Sequence, residues 1–158
     1  MKIINTKLLD DVVSQAKLSS RKRKNYNFHE TLDDRLQRML NAIEPGTYVQ
    51  PHKHENPDKA EAFLILKGKA LVVEFDVQGE ITAQTIISPA NGVYGCEIAP
   101  TTWHCIVSLE TGTVVYEVKD GPYSPINDKN FASWAPKEGD PECETYLLQL
   151  LKRCGIGK

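Results

Sequence analysis

The sequence predicts a mainly β fold: an antiparallel sandwich or barrel held between an N-terminal and a C-terminal helix. Three observations predict it. From about residue 36 the chain is a series of short runs rich in β-branched and aromatic residues, among them "EAFLILKGKALVVEFDVQGEITAQTII", "GVYGCEIAP", "TWHCIVSLE" and "GTVVYEVKDG". Gly68 and "DVQGE" break these runs at short, regular intervals, as an array of antiparallel strands requires. At both ends of the chain the apolar residues recur at helical spacing instead.

The 158 residues suffice for one compact domain with a real core. The expected division is a helix and connector over 1–35, a barrel over 36–120, and a loop with a final helix over 121–158. In the first helix Leu8, Leu9, Val12, Val13 and Ala16 form one apolar face, with Asn5 or Thr6 as cap. "SSRKRKNYNFHE" then reads as a polar, basic connector. Its run Arg21 to Lys24 is solvated charge or, alternatively, a contact for an anionic ligand such as a phosphate. "LQRMLNAIEPGTYVQPHKH" places a turn at Glu44-Pro45-Gly46 between two strand-like runs.

In "GDPECETYLLQLLKRCGIGK", Asp140 is a suitable cap, Pro141 suits the first helical position and Glu142 suits the positive helix end. Tyr146, Leu147, Leu150 and Leu151 make the buried stripe, and Gly155 ends the helix. Cys143 and Cys154, eleven residues apart, share a helix face. Free thiols on a docked helix are the expectation, a metal pair the alternative.

Composition narrows the partners. No apolar stretch is long enough to span a bilayer, and the charged N-terminus lacks a signal-peptide pattern, which points to the cytoplasm. A formal charge of −2 gives no field that favours nucleic acid. The expected partner is a small molecule, with no nucleic acid and no membrane.

Two of the four histidines stand in "PHKHENPDKAEAFLILKG" as His52-x-His54. Side chains alternate along a strand, so both point to one side, where neutral imidazoles can share a metal ion. Glu61 opens the next run, and Phe63 and Ile65 on its face point into a core. A hairpin is expected to bring Glu61 back beside the histidine strand. A bare carboxylate is costly in a core, and coordination removes that cost. His104, with Ile106 and Ser108 on its face, supplies a fourth ligand from a distant strand. One divalent ion on His52, His54, Glu61 and His104 is the resulting expectation. Mixed nitrogen and oxygen donors suit zinc, iron, manganese or nickel.

These residues carry a resemblance. Gly46, five residues, His52-x-His54, six residues, Glu61, six residues and Gly68 is similar to the first cupin motif, and "EIAPTTWH" resembles the second, ending in His104. The interval from His54 to Glu61 is longer than the family's usual one and fits an enlarged loop, "ENPDKA". "RKNYNFHE", "QRMLNAIEPGTYVQPHKH", "EVKDGPYSP" and "FASWAP" resemble the WbuC-type cupin metalloproteins, small bacterial proteins associated with surface polysaccharides. The resemblance implies a cupin barrel (a double-stranded β-helix or jelly roll), a bound metal, a carbohydrate setting and a homodimer.

Other residues have two readings each. Tyr26 and His29 in "NYNFHE" belong near the metal pocket, as catalytic candidates, or to a surface turn. Arg38 binds an anionic substrate or forms a salt bridge. Tyr48 lines the cavity or only packs. Glu117, Lys119 and Tyr123 are rim candidates, and Trp134 is expected to seal the barrel against the last helix. The function expected is metal-dependent isomerase or epimerase chemistry on a sugar or sugar phosphate. An iron-dependent dioxygenase and a non-catalytic sugar binder are the alternatives, since fold alone does not choose.

Overall fold

In the computed structural model, which describes residues 1–124 and 129–157, two five-stranded antiparallel sheets face one another between two helices. The order is α1 (Thr6–Leu18), β1 (Arg23–Asn27), β2 (Leu36–Ile43), β3 (His52–Lys53), β4 (Glu61–Lys67), β5 (Ala70–Phe75), β6 (Ile81–Ile87), β7 (Gly95–Ile98), β8 (Trp103–Ser108), β9 (Thr113–Asp120), β10 (Asn130–Phe131) and α2 (Cys143–Arg153). One sheet runs β1-β2-β9-β4-β7 and the other β10-β3-β8-β5-β6. From β2 to β10 the chain changes sheet at every described connection except β5 to β6. The result is the cupin-type double-stranded β-helix.

Three apolar layers explain the strand sequences. Between the sheets lie Ile43, Phe63, Ile65, Val72, Ile106 and Val115. Beneath α1, on the outer face of the first sheet, lie Val12, Val13, Ala16, Leu40, Ala42 and Val114. Beneath α2, on the outer face of the second, lie Leu71, Val73, Phe75, Val107, Leu147 and Leu150. Strands covered on both faces read as unbroken apolar runs, which is why "ALVV" in β5 does not alternate. Trp134 packs against Phe75 and Trp103 in the layer under α2, where it was expected.

The helix ends follow local chemistry. The Asn5 side chain accepts from the Leu8 N–H at 3.0 Å and caps α1. α2 begins at Cys143 rather than at Pro141, because the Asp140 carboxylate accepts from the Lys137 N–H at 2.9 Å instead of capping the helix. Cys143 and Cys154 are free thiols within the apolar layer under α2. Gly68 turns the corner from β4 to β5 at φ +80°, where a Cβ would lie 2.5 Å from Thr113 Oγ1.

The connector reading of "SSRKRKNYNFHE" is corrected. Arg23–Asn27 is an edge strand, paired antiparallel with β2 from Arg23↔Ile43 to Asn27↔Met39. Backbone pairing with β2 overrides a composition that favours solvent. This strand positions a wall of the functional site.

Candidate metal centre and cavity

His52 lies on β3 and His104 directly opposite it on β8. His54 follows β3. Glu61 opens β4, which belongs to the other sheet. The expected hairpin is therefore replaced by a crossing: residues 55–60 carry the chain from one sheet to the other, and Glu61 meets the histidines across the sandwich. Strand alternation explains the inward aim of Glu61, with Phe63 and Ile65 behind it in the same core.

The structure brings all four residues together. One ligand atom from each of His52, His54, Glu61 and His104 lies within 4.8 Å of the others. All four are buried, between 1% and 4% exposed. Ring centroids of His52 and His104 are 4.5 Å apart, and those of His54 and His104 5.7 Å. His54 Nε2 is 3.5 Å from Glu61 Oε2, and His104 Nε2 touches Glu61 Oε1.

The donor set fits a cation. His52 donates from Nδ1 to the Gln50 carbonyl at 3.0 Å, and His104 from Nδ1 to the Thr102 carbonyl at 2.8 Å. In the neutral ring each bond fixes the tautomer and leaves a lone pair on Nε2. Lone pairs and a carboxylate oxygen then converge in a dry site, which only a proton or a metal ion reconciles. Electrostatics agree. Burial holds the His52 pKa well below its ordinary value. Burial also disfavours charge on His104, but contact with Glu61 outweighs it and raises that pKa. Burial likewise opposes the Glu61 carboxylate, yet the His104 and His54 imidazoles against it bring its pKa well below the ordinary value.

A cavity of about 370 Å3 opens beside this set. Its walls carry Arg23, Asn25 and Asn27 from β1, Gln37, Met39 and Asn41 from β2, and Glu117 and Lys119 from β9. Arg21, His29, Tyr123 and Lys129 complete the polar lining. Asn41 Nδ2 donates to Glu117 Oε2 in a short contact. Burial raises the Glu117 pKa, with the Glu61 charge adding to it.

Of the remaining expected site residues, His29 lines this cavity, and its Nδ1 accepts from the Arg38 N–H at 3.1 Å. Glu117, Lys119 and Tyr123 line it too. Tyr26 does not: it points from the opposite face of β1, packs edge-on against Phe28 at 5.2 Å and is 38% exposed. Arg38 points from the opposite face of β2 into a separate surface hollow, 3.9 Å from Asp34. Tyr48 is buried under α2 and donates to the Pro136 carbonyl at 2.7 Å, while its neighbour Val49 reaches the cavity.

Sequence reasoning missed Asn25, Gln37, Asn41 and Lys129 as cavity residues, while Asn27 of "NYNFHE" lines the cavity with His29. A signal was present for Asn25: Arg21, Arg23, Asn25 and Asn27 alternate with Lys22, Lys24 and Tyr26, the period of a strand with one polar inner face.

Comparisons with known proteins bear on this site. A family model described as "Domain of unknown function (DUF6016)" matches residues 4–87. No curated protein matches by sequence. Among solved structures, the capsular polysaccharide assembling protein CapF from Staphylococcus aureus matches at 26% identity and a TM-score of 0.54, over 66% of this chain and 28% of CapF. A CapF structure with the inhibitor 3-isopropenyl-tropolone matches at 26% identity and a TM-score of 0.55, over 66% of this chain and 30% of that one. The chain thus spans about a third of the length of the CapF chains it matches. The protein TT1209 from Thermus thermophilus matches at 18% identity and a TM-score of 0.54, over 76% of this chain and 97% of that one, and shares the fold. Among the described residues, no helix is long and apolar enough to cross a membrane.

Proposed function

The chain belongs to the family described as "Domain of unknown function (DUF6016)", and we propose that it is a metal-dependent cupin of carbohydrate metabolism. In this reading it is an isomerase or epimerase for a sugar or sugar phosphate in a surface-polysaccharide setting. One observation carries the reading: three imidazoles and a carboxylate converge beside a polar cavity of about 370 Å3. The carbohydrate setting is supported by the 26% identity to CapF and by the WbuC-type resemblance of "RKNYNFHE" and "FASWAP". A cytoplasmic location and a homodimer belong to the same reading.

His52, His54, Glu61 and His104 would hold the ion. When bound, a divalent ion supplies Lewis acidity toward a carbonyl or hydroxyl oxygen. Glu117 is the group assigned to move a proton at a ligand carbon. Its carboxyl lines the cavity, Asn41 fixes Oε2, and burial widens the pH range over which it holds a proton. His29 is a second proton-transfer candidate on the same wall. Asn25 and Asn27 offer amides to hydroxyl groups and orient the ring.

The test is deuterium exchange. Protein loaded in turn with zinc, manganese, nickel or iron(II) is incubated in D2O with a panel of aldoses, ketoses and their phosphates, and carbon-bound deuterium is read by NMR. The expected result is incorporation into one substrate, abolished by a chelator and by Glu117→Gln. A sugar that raises the melting temperature without any exchange would replace catalysis with binding. Oxygen consumption by the iron-loaded protein would replace it with dioxygenase chemistry.

A further inference from the structure

The cavity beside the metal-ligand set has a charge pattern opposite to that of the whole chain. The chain carries a formal charge of −2, yet among the described residues Arg21, Arg23, Lys119 and Lys129 line the cavity against Glu61 and Glu117. The two arginines are matched locally. Arg21 and Arg23 share the Glu138 carboxylate at 2.6 and 2.7 Å, and Arg23 also donates to the Tyr48 carbonyl at 2.8 Å.

The two lysines come from β9 and from the residue before β10. Lys119 is 3% exposed, sits beside Glu61 in the β4–β9 register, and holds its ammonium 5.4 Å from the Tyr123 ring centre. Lys129 lines the same cavity and forms no hydrogen bond or ion pair with a described residue within bonding distance. Its charge is felt at His52, His104, Glu61 and Glu117. Burial works against that charge and lowers the Lys129 pKa. The half-buried ammonium of Lys129 reaches the cavity without a close partner among the described residues, so an anion supplied by a ligand can pair with it. A divalent ion on the four ligands would make the cavity more positive still.

A second group is also left open. Asn41 donates to Glu117 through Nδ2, but its Oδ1 is buried and accepts no hydrogen bond among the described residues. An amide oxygen facing a cavity accepts from a hydroxyl.

We propose that this cavity selects a small polyhydroxylated ligand bearing an acidic group, with the acid held by Lys119 and Lys129 and a hydroxyl donating to Asn41 Oδ1. The proposal rests on the carbohydrate reading above and deepens it to a sugar acid or a sugar phosphate. Carboxylate and phosphate share the required chemistry, and the experiment separates them.

The experiment uses the full chain loaded with one equivalent of metal. Calorimetric titrations compare D-galacturonate, D-galactose 6-phosphate, D-galactose and inorganic phosphate. At least one acidic sugar should bind about tenfold or more tightly than galactose, the size of a charge-assisted contact. Lys129→Met should remove that preference while metal content stays at the wild-type value. Asn41→Asp, which places a second carboxylate beside Glu117, should weaken the same acidic sugar. Galactose binding as tightly as both acidic sugars would overturn the charge assignment and leave the carbohydrate reading standing. Phosphate alone binding as tightly as galactose 6-phosphate would overturn the hydroxyl contact. An acid preference that survives in Lys129→Met would overturn the role of that lysine. No binding of any sugar by metal-loaded protein would overturn both the proposal and the reading beneath it.

Discussion

His52 and His104 face one another in register across β3 and β8, and each donates its Nδ1–H to the carbonyl two residues earlier in the chain. The same local device on two strands leaves both Nε2 lone pairs for one shared partner. His104→Ala should therefore lower metal affinity by more than the roughly 10–100-fold typical of losing an orienting partner alone. Competition against a chelator of known affinity measures it. Protons compete for the same nitrogens, so metal occupancy of the wild type should fall on acidification.

Gly68→Ala tests the corner between the sheets. The residue sits at φ +80°, and a Cβ would meet Thr113 Oγ1 at 2.5 Å and its Cα at 2.8 Å. Strain and overlap together should cost about 1–3 kcal/mol. Urea unfolding should show a lower midpoint at an unchanged slope.

Glu138 gives a pH dependence of defined sign. Burial opposes its ionisation, but hydrogen bonds from Arg21 and Arg23 hold its carboxyl below the ordinary value of 4.5. The unfolded chain therefore binds more protons between the two values. The contribution to stability is complete above the unfolded value and is lost as pH falls through the folded one. The melting temperature of Glu138→Gln should lie below that of the wild type at about pH 6, and the gap should close toward about pH 3. A gap that widens on acidification would contradict the assignment.

The cluster of His52, His54, Glu61 and His104 was legible because histidine is rare in this chain and Glu61 heads an apolar strand, and strand alternation correctly aimed all four inward. Which sheet carries Glu61 was not legible, since residues 55–60 could equally have formed a hairpin. The remaining errors are mostly errors of parity. Tyr26 lies between the cavity residues Asn25 and Asn27, and Arg38 between Gln37 and Met39. A shift of one residue on a strand moves a side chain to the other face. Neither β1 nor β2 declares its inner face by hydrophobicity, because the cavity wall is polar and the opposite face packs under α1. Lys129 lies outside the predicted barrel and reaches the cavity only through the three-dimensional fold.

Strand parity places Arg38 and Tyr26 outside the cavity. Arg38→Ala and Tyr26→Phe should retain full metal content, because neither side chain reaches the cavity. The 3.9 Å Arg38–Asp34 pair is partly exposed, so Arg38→Ala should change stability by no more than about 1 kcal/mol. Elemental analysis and urea unfolding check both variants, and metal loss in either would place that residue in the site after all.

The central claim is that His52, His54, Glu61 and His104 hold one divalent ion. Its most direct test is elemental analysis of protein purified without added metal, beside the His52→Ala, His54→Ala double variant shown to be folded by circular dichroism. The structure predicts close to one equivalent of a divalent metal in the wild type and almost none in the double variant. Full metal content in the folded double variant would contradict it.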